Sequence, residues 1–367
     1  MSASSDGAGL RVDLGSHRLH PVASPRVEAL LPALHGDDLQ VRVRNGRLRL
    51  GDAWVRFPLR PVDLVRSLPP SFAAAALRDA AAGPLRRRRA DRDRGDDTFA
   101  TVVTDGLGPA MLESFYGPYA HKLWGRAPEE IAGDVARRRI AASSPGRLIA
   151  KVARAARREP IVFRYPRLGY GQVVDRLVDE CRAAGVEIAT STAVSELDVG
   201  SQRPTVRFAP SAVEASLGAT TFDRVWWSAP IAALCDVVRN APSEVVPMGV
   251  EHRAMVLVYL VFDARGGRSE SERGAVTPFD AHYLPGPDEL ATRVSEPRNY
   301  RDGPDPDDVT VLCAEVPCFV GDEIWTSDAN ALAERVLDDL HRLEVPRRRH
   351  VHAEVERLPN VYPVIGP

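Results

Sequence analysis

The chain has 367 residues, 44% hydrophobic and 27% charged, with a formal net charge of -2. That is enough for one large domain or two of ordinary size, of soluble globular composition, and the near-balanced charge gives no general argument for nucleic acid or an anionic membrane as a partner. No apolar run reaches the ~18 residues of a membrane helix, no basic-then-apolar leader opens the chain, and Cys181, Cys235, Cys313 and Cys318 are too scattered for a disulfide framework or a zinc site, so they read as reduced thiols of a cytoplasmic protein.

In chain order, Leu10–Leu14 alternates as a short strand and meets a tight turn at Gly15-Ser16-His17-Arg18. Such a turn can hold a polar ligand or be an ordinary corner. Val27–Leu34 is a short helix. Residues 39–57 alternate apolar residues with arginine, and Asn45-Gly46 predicts a hairpin turn between the Val41/Val43 and Leu48/Leu50 strands. That hairpin would have one apolar face and one arginine face. Residues 63–82 read as an alanine-rich helix and 83–97 as a charged loop. The clusters Arg86–Arg89 and Arg347–Arg349 read as solvated.

Phe115–Ile140 concentrates aromatics, glycines and proline before an amphipathic run. Lys122 stands there in a chain whose only other lysine is Lys151. It either snorkels past a core of Phe115, Tyr119 and Trp124 or serves the site. Residues 134–158 continue as basic helix, broken near Ser143–Gly146. Tyr165–Gly171 is a glycine-punctuated turn. Val173, Val174, Leu177, Val178 and Cys181 then follow at helical spacing, and Gly185 ends that helix. Strands are predicted at Val186–Ile188, Val194–Val199, Thr205–Phe208 and Phe222–Ser228, the last stopping where Pro230 opens a helix at Ile231. Further strands follow at Arg253–Asp263, His282–Leu284, Thr292–Ser295, Val309–Val316 and Val351–Leu358. A helix over Thr326–Leu343 turns Ala331, Leu332, Val336, Leu337 and Leu340 inward.

Order and spacing show no serine triad, Walker loop, H-E-x-x-H or paired carboxylates. The pattern is mixed α/β with glycine turns, plus a strand-rich part holding Arg293, Glu296, Arg298 and Glu315, which favours a nucleotide or cofactor domain. No catalytic residue is named. His17 is the best titratable candidate, with a satisfied structural histidine as the alternative.

Six segments in order go further: DLGSHR (Asp13–Arg18), FYGPYAHKLWGRAPEEI (Phe115–Ile131), YPRLGYGQVVDRLVDECRAAGVEI (Tyr165–Ile188), FDRVWWSAP (Phe222–Pro230), TRVSEPRNY (Thr292–Tyr300) and LCAEVPC (Leu312–Cys318). Together they resemble the flavin-dependent amine oxidase and protoporphyrinogen oxidase superfamily, near UDP-galactopyranose mutase. The resemblance implies an α/β protein with an FAD-binding domain of the glutathione-reductase type and an inserted substrate domain of mixed sheet and helices. It implies FAD contacts at Gly15, Ser16, His17, Arg18, Val194, Ser228 and Pro230. It implies substrate contacts at Lys122, Trp124, Arg293, Arg298 and Tyr300, no metal, and a small-molecule substrate. Arg293 suits a diphosphate because a guanidinium offers a two-pronged fork.

Members of that superfamily open on a strand, a G-x-G-x-x-G turn and a helix. Here Gly7-Ala8-Gly9 has no such frame, and the family's C-terminal flavin segment has no match either. The chain therefore reads as a flavoprotein without those segments, completed by flanking sequence or a partner chain. FAD is bound weakly or not at all by this chain alone. The expected boundaries are 1–60 and 161–245 for a partial FAD-binding domain, 61–160 and 246–358 for the substrate domain, and 359–367 returning to the first. The expected function is a flavin-dependent oxidoreductase. The alternatives are a mutase-like isomerase and a non-catalytic fragment.

Overall fold

A computed structural model describes residues 2–5, 10–19, 24–57, 97–140, 161–209, 218–242, 250–265, 274–303, 305–346 and 348–367, with a few positions between 70 and 83. Most of the alanine-rich helix and of the charged loop, the Arg86–Arg89 cluster, Arg347 and the continuation of the basic helix past Ile140 lie outside the described residues. The chain divides into two units, Met1–Leu177 with His252–Pro367, and Val178–Glu251.

The first unit is built on a seven-stranded sheet. Its strands are β4 (Gly46–Leu50), β5 (Ala53–Phe57), β11 (His252–Asp263), β12 (Ala281–Tyr283), β13 (Arg293–Ser295), β14 (Val309–Cys318) and β15 (His350–Pro363). Their order is β15-β11-β14-β13-β12-β4-β5, antiparallel except for the β12–β4 pair. β11 is a nearly unbroken apolar run because both its faces are covered. Val256, Val258 and Leu260 point to one face, where helix α7 (Ala329–Arg342) supplies Leu332, Ala333, Val336 and Leu340. Ala333 takes the inward place predicted for Ala331, which is exposed. Met255, Leu257 and Tyr259 point to the other face. There α2 (Phe99–Leu107), α3 (Gly117–Trp124) and α4 (Gly133–Ile140) bring Phe99, Val103, Leu123, Trp124 and Ala136. Each such aliphatic, fully buried, contributes about 1.5–3 kcal/mol.

The predicted Asn45-Gly46 hairpin is not formed. β3 (Leu39–Val43) pairs with β6 (Val162–Pro166), and β4 pairs with β5 across Gly51-Asp52. Asn45 instead grips the loop before β12: its N–H donates to Asp280 Oδ2 (3.1 Å), its Nδ2 to Pro278 O (2.7 Å), and its carbonyl accepts from Asp280 N (2.9 Å). Both dipeptides suit a turn, and the partner strands decide which one closes a hairpin. The faces of β3 are also reversed. Val41 and Val43 are 64% and 57% exposed, while Arg42 and Arg44 turn towards polar partners. Helix α1 (Pro25–His35) and the antiparallel pair β1 (Ser2–Ser5) and β2 (Leu10–Asp13) also belong to this unit, and α5 (Gly171–Ala183) begins in it.

The second unit holds β7 (Val194–Asp198), β8 (Thr205–Phe208), β9 (Thr220–Thr221), β10 (Val238–Arg239) and helix α6 (Ile231–Val237). β7 lies between antiparallel β8 and parallel β10. The strands predicted at Val186–Ile188 and Phe222–Ser228 are not formed. Residues 187–190 and 224–228 make no backbone–backbone hydrogen bond with another described residue, and a strand without a neighbour is not a strand. Trp226, apolar and in sequence a strand residue, is 89% exposed.

Candidate functional site

β2 ends at Asp13, whose carbonyl accepts from the Tyr259 hydroxyl (2.9 Å) and from Gly15 N (2.8 Å). Gly15 has φ +89°, and a Cβ there would sit 3.3 Å from Glu315 Oε1, so glycine lets the turn lie on the sheet. Ser16 N then donates to Glu315 Oε1 (2.8 Å).

Glu315 belongs to a row that register builds across three strands: Tyr283 on β12, Arg293 on β13 and Glu315 on β14. Arg293 forks onto Glu315, with Nη2 2.6 Å and 2.7 Å from the two carboxylate oxygens and Nε 3.0 Å from Oε1. Burial works against the Arg293 charge, but the Glu315 carboxylate and the Tyr283 oxygen outweigh it and hold its pKa well above the ordinary value. Arg18 Nη1 and Arg44 Nη2 each donate to the Tyr283 hydroxyl at 3.0 Å, and Arg18 Nη2 lies 3.4 Å from Asp280 Oδ1. The Arg18 guanidinium also faces the Phe163 and Tyr300 rings at 5.3 Å and 5.6 Å. Burial favours the neutral Tyr283 phenol, yet Arg18, Arg293 and Arg44 outweigh it, and its pKa lies below the usual tyrosine value.

Below this turn Asp13 is buried. Its carboxylate accepts from the Tyr165 hydroxyl, from Tyr170 N (2.6 Å) and from Gly171 N (3.3 Å), closing the N-terminus of α5. Gly169, at φ +92°, makes room, since a Cβ would sit 2.8 Å from Asp13 Oδ1.

The predicted residues separate into different surroundings. Gly15, Ser16 and Arg18 meet the charged row, together with Arg293. His17 Nε2 pairs with Leu14 O (2.8 Å), and its ring lies 4.8 Å from that of Tyr170. Lys122 spends its ammonium on three carbonyls, Leu284 (2.9 Å), Gly286 (2.8 Å) and Ala291 (2.8 Å). Burial pulls its pKa down to about 8, against Glu289, Asp339 and Asp288. Trp124 is core, ring to ring with Phe99 and Tyr362. Arg298 donates to the carbonyls of Pro306 and Val309. Tyr300 is buried against Phe163 and Tyr165. Val194, Ser228 and Pro230 belong to the second unit: Val194 pairs with Phe208, and Pro230 O accepts from Trp227 Nε1 (3.3 Å). Tyr283, Arg44 and Asp280 were not foreseen. Arg44 is legible as one of the arginines of residues 39–57, whereas nothing local marks Tyr283.

A second buried polar group lies under β12. His282 Nδ1 accepts from Arg47 Nε (2.6 Å), and its Nε2 meets Thr277 Oγ1 (3.1 Å). Glu296 collects Val276 N, Thr277 N and the Thr310 hydroxyl, and burial raises its pKa to about 7. Burial, then Arg47, lowers His282 to about 3. The unfolded chain protonates this histidine below about 6.5 and the folded one does not, so its stabilising contribution is present above that pH and is lost as pH falls towards 3. His282→Asn is expected to flatten the acid limb of a urea-stability profile by about 1.4 kcal/mol per pH unit inside that window. An unchanged limb would contradict a neutral His282.

FAD carries a diphosphate, which needs backbone N–H groups at a helix N-terminus. The glycine turn 169–171 does open a helix, but Tyr170 N and Gly171 N are taken by Asp13, whose carboxylate repels phosphate. Gly7-Ala8-Gly9 lies outside the described residues. Among the described residues, this turn therefore offers no diphosphate cradle. Nor do they hold a metal-binding group of His, Cys, Asp and Glu, or a helix long and apolar enough to cross a membrane.

No protein-family model and no curated protein matches the sequence. Solved structures do. Reduced UDP-galactopyranose mutase superposes with a TM-score of 0.74 at 15% identity, covering 100% of this chain and 76% of that one. An Exiguobacterium sp. 255-15 protein described as a protoporphyrinogen oxidase gives 0.70 at 15%, covering 100% and 79%. The chain has the fold that these structures share. Wild-type putrescine oxidase bound to putrescine shares it, with a TM-score of 0.63 at 15% identity, covering 99% and 80%.

Proposed function

We propose that the chain is a flavin-dependent oxidoreductase of the amine oxidase-like type, with its substrate-side site on the Tyr283–Arg293–Glu315 row and FAD held only loosely by residues 1–367. The observation that carries it is a fold shared over the whole chain with flavin-dependent structures, combined with a glycine turn seated on that row. The cofactor supplies the redox chemistry, and the protein supplies position and electrostatics. Of the residues expected to touch FAD, Gly15 to Arg18 have the geometry of a turn presented beside the site, while Val194, Ser228 and Pro230 remain assignments by resemblance.

A mutase-like isomerisation of a sugar nucleotide is the second reading, favoured by the likeness to reduced UDP-galactopyranose mutase. It would need Arg293 and Arg298 to exchange their internal partners for phosphate. The deciding experiment is titration of the purified chain with FAD, followed by gel filtration. Saturable quenching of flavin fluorescence with little flavin retained on the column is expected. No saturable quenching overturns the flavin reading, and stoichiometric retention overturns the loose binding.

A further inference from the structure

We propose that Tyr283 is a proton-exchanging residue, and that the site around it accepts a neutral or anionic ligand bearing an acidic O–H in preference to an ammonium. This rests on the flavin reading only in treating the charged row as the substrate side.

The Tyr283 oxygen accepts N–H groups from both Arg18 and Arg44. Two donors occupy both lone pairs of a phenol, and the hydroxyl proton meets no described acceptor. A phenolate keeps both donors and removes that mismatch. The charged groups facing the oxygen are three guanidinium groups, which favour the phenolate, and one carboxylate, which opposes it. Arg18 comes from the turn after β2, Arg44 from the link between β3 and β4, and Arg293 from β13. Among the described residues Asp280, before β12, is the single carboxylate in this set, because Glu315 is committed to Arg293. The Phe57 ring, 4.6 Å from that of Tyr283, completes the surroundings. Arg18 Nε and Ser16 Oγ are both buried without a hydrogen-bond partner among the described residues, so the cluster retains unused polar capacity. The Tyr283 side chain is partly exposed.

The proton step balances without a further reactant. The ligand O–H bond breaks and the Tyr283 Oη–H bond forms. The negative charge passes from the phenolate to the ligand oxygen, where the same guanidinium groups stabilise it. An ammonium meets three like charges and is repelled.

Ultraviolet tyrosinate titration of the full chain tests this without cofactor. The protein has eight tyrosines, and Tyr116, Tyr165, Tyr170, Tyr259 and Tyr300 are pushed upward by burial, so an early one stands apart. One tyrosine is expected to ionise ahead of the rest. Tyr283→Phe should abolish that step, and Arg44→Gln should move it up by about one pH unit. Benzoate should raise it, and benzylammonium should not. The proposal is overturned if no early step appears, if it survives Tyr283→Phe, or if Arg44→Gln leaves it in place. It is equally overturned if benzylammonium binds and benzoate does not. FAD plays no part in this experiment. An early step in a chain that never binds FAD would sink the flavin reading alone, and FAD binding without the early step would sink this inference alone.

Discussion

Glu315→Ala is expected to destabilise the protein by about 3–5 kcal/mol, measured by urea unfolding. The reason is the group left behind. Arg293 would keep its charge inside the sheet with no carboxylate to fork onto, and Ser16 N would lose its acceptor. An ion pair in this position contributes little over a well-packed apolar pair, since desolvation offsets most of the attraction. The double variant Glu315→Leu with Arg293→Met is therefore expected to recover at least half of the loss. Equal destabilisation of the single and double variants would mean that Arg293 does not depend on Glu315. Gly15 should also report the change, because its turn rests on this carboxylate. Faster amide exchange at Ser16 is expected in Glu315→Ala.

The second large effect lies at Asp13. Asp13→Ala removes the acceptor for Tyr165, Tyr170 N and Gly171 N together. Loss of a helix cap costs about 1 kcal/mol, and a buried hydroxyl left without a partner costs about 1–3 kcal/mol more. The expected loss is about 3 kcal/mol, with faster hydrogen exchange over the first turn of α5. Tyr165→Phe removes the orphaned hydroxyl, so Asp13→Ala should cost less in that background than alone. Strict additivity would show that the tyrosine and the aspartate act separately.

Much of the order of elements was legible in the sequence. The buried run of β11, the amphipathic α7, the Gly185 helix end and the glycine turn after Asp13 all follow from local pattern, because period and turn chemistry are properties of neighbouring residues. The mixed α/β class and the superfamily likeness were legible too, the second from six weak segments in order. Pairing was not. Asn45-Gly46 has the chemistry of a hairpin turn, yet the strands on its two sides pair elsewhere, β3 with the distant β6, and β4 with the distant β12 and, across Gly51-Asp52, with β5. Val186–Ile188 and Phe222–Ser228 have strand composition, but a strand exists only beside another.

The site followed the same division. Its turn could be read from Gly15 to Arg18, and Arg293 from its likeness to a phosphate-binding segment. The structure gave that arginine Glu315 as its partner, and it tied Lys122, alone among arginines, to three backbone carbonyls. Tyr283 acquires its chemistry from Arg18, 265 residues away, and from Arg44, 239 residues away. The sequence by itself determined which side chains were available and which local turns could form. Only the tertiary structure decided which charges meet, because sheet register brings together residues that no local spacing relates.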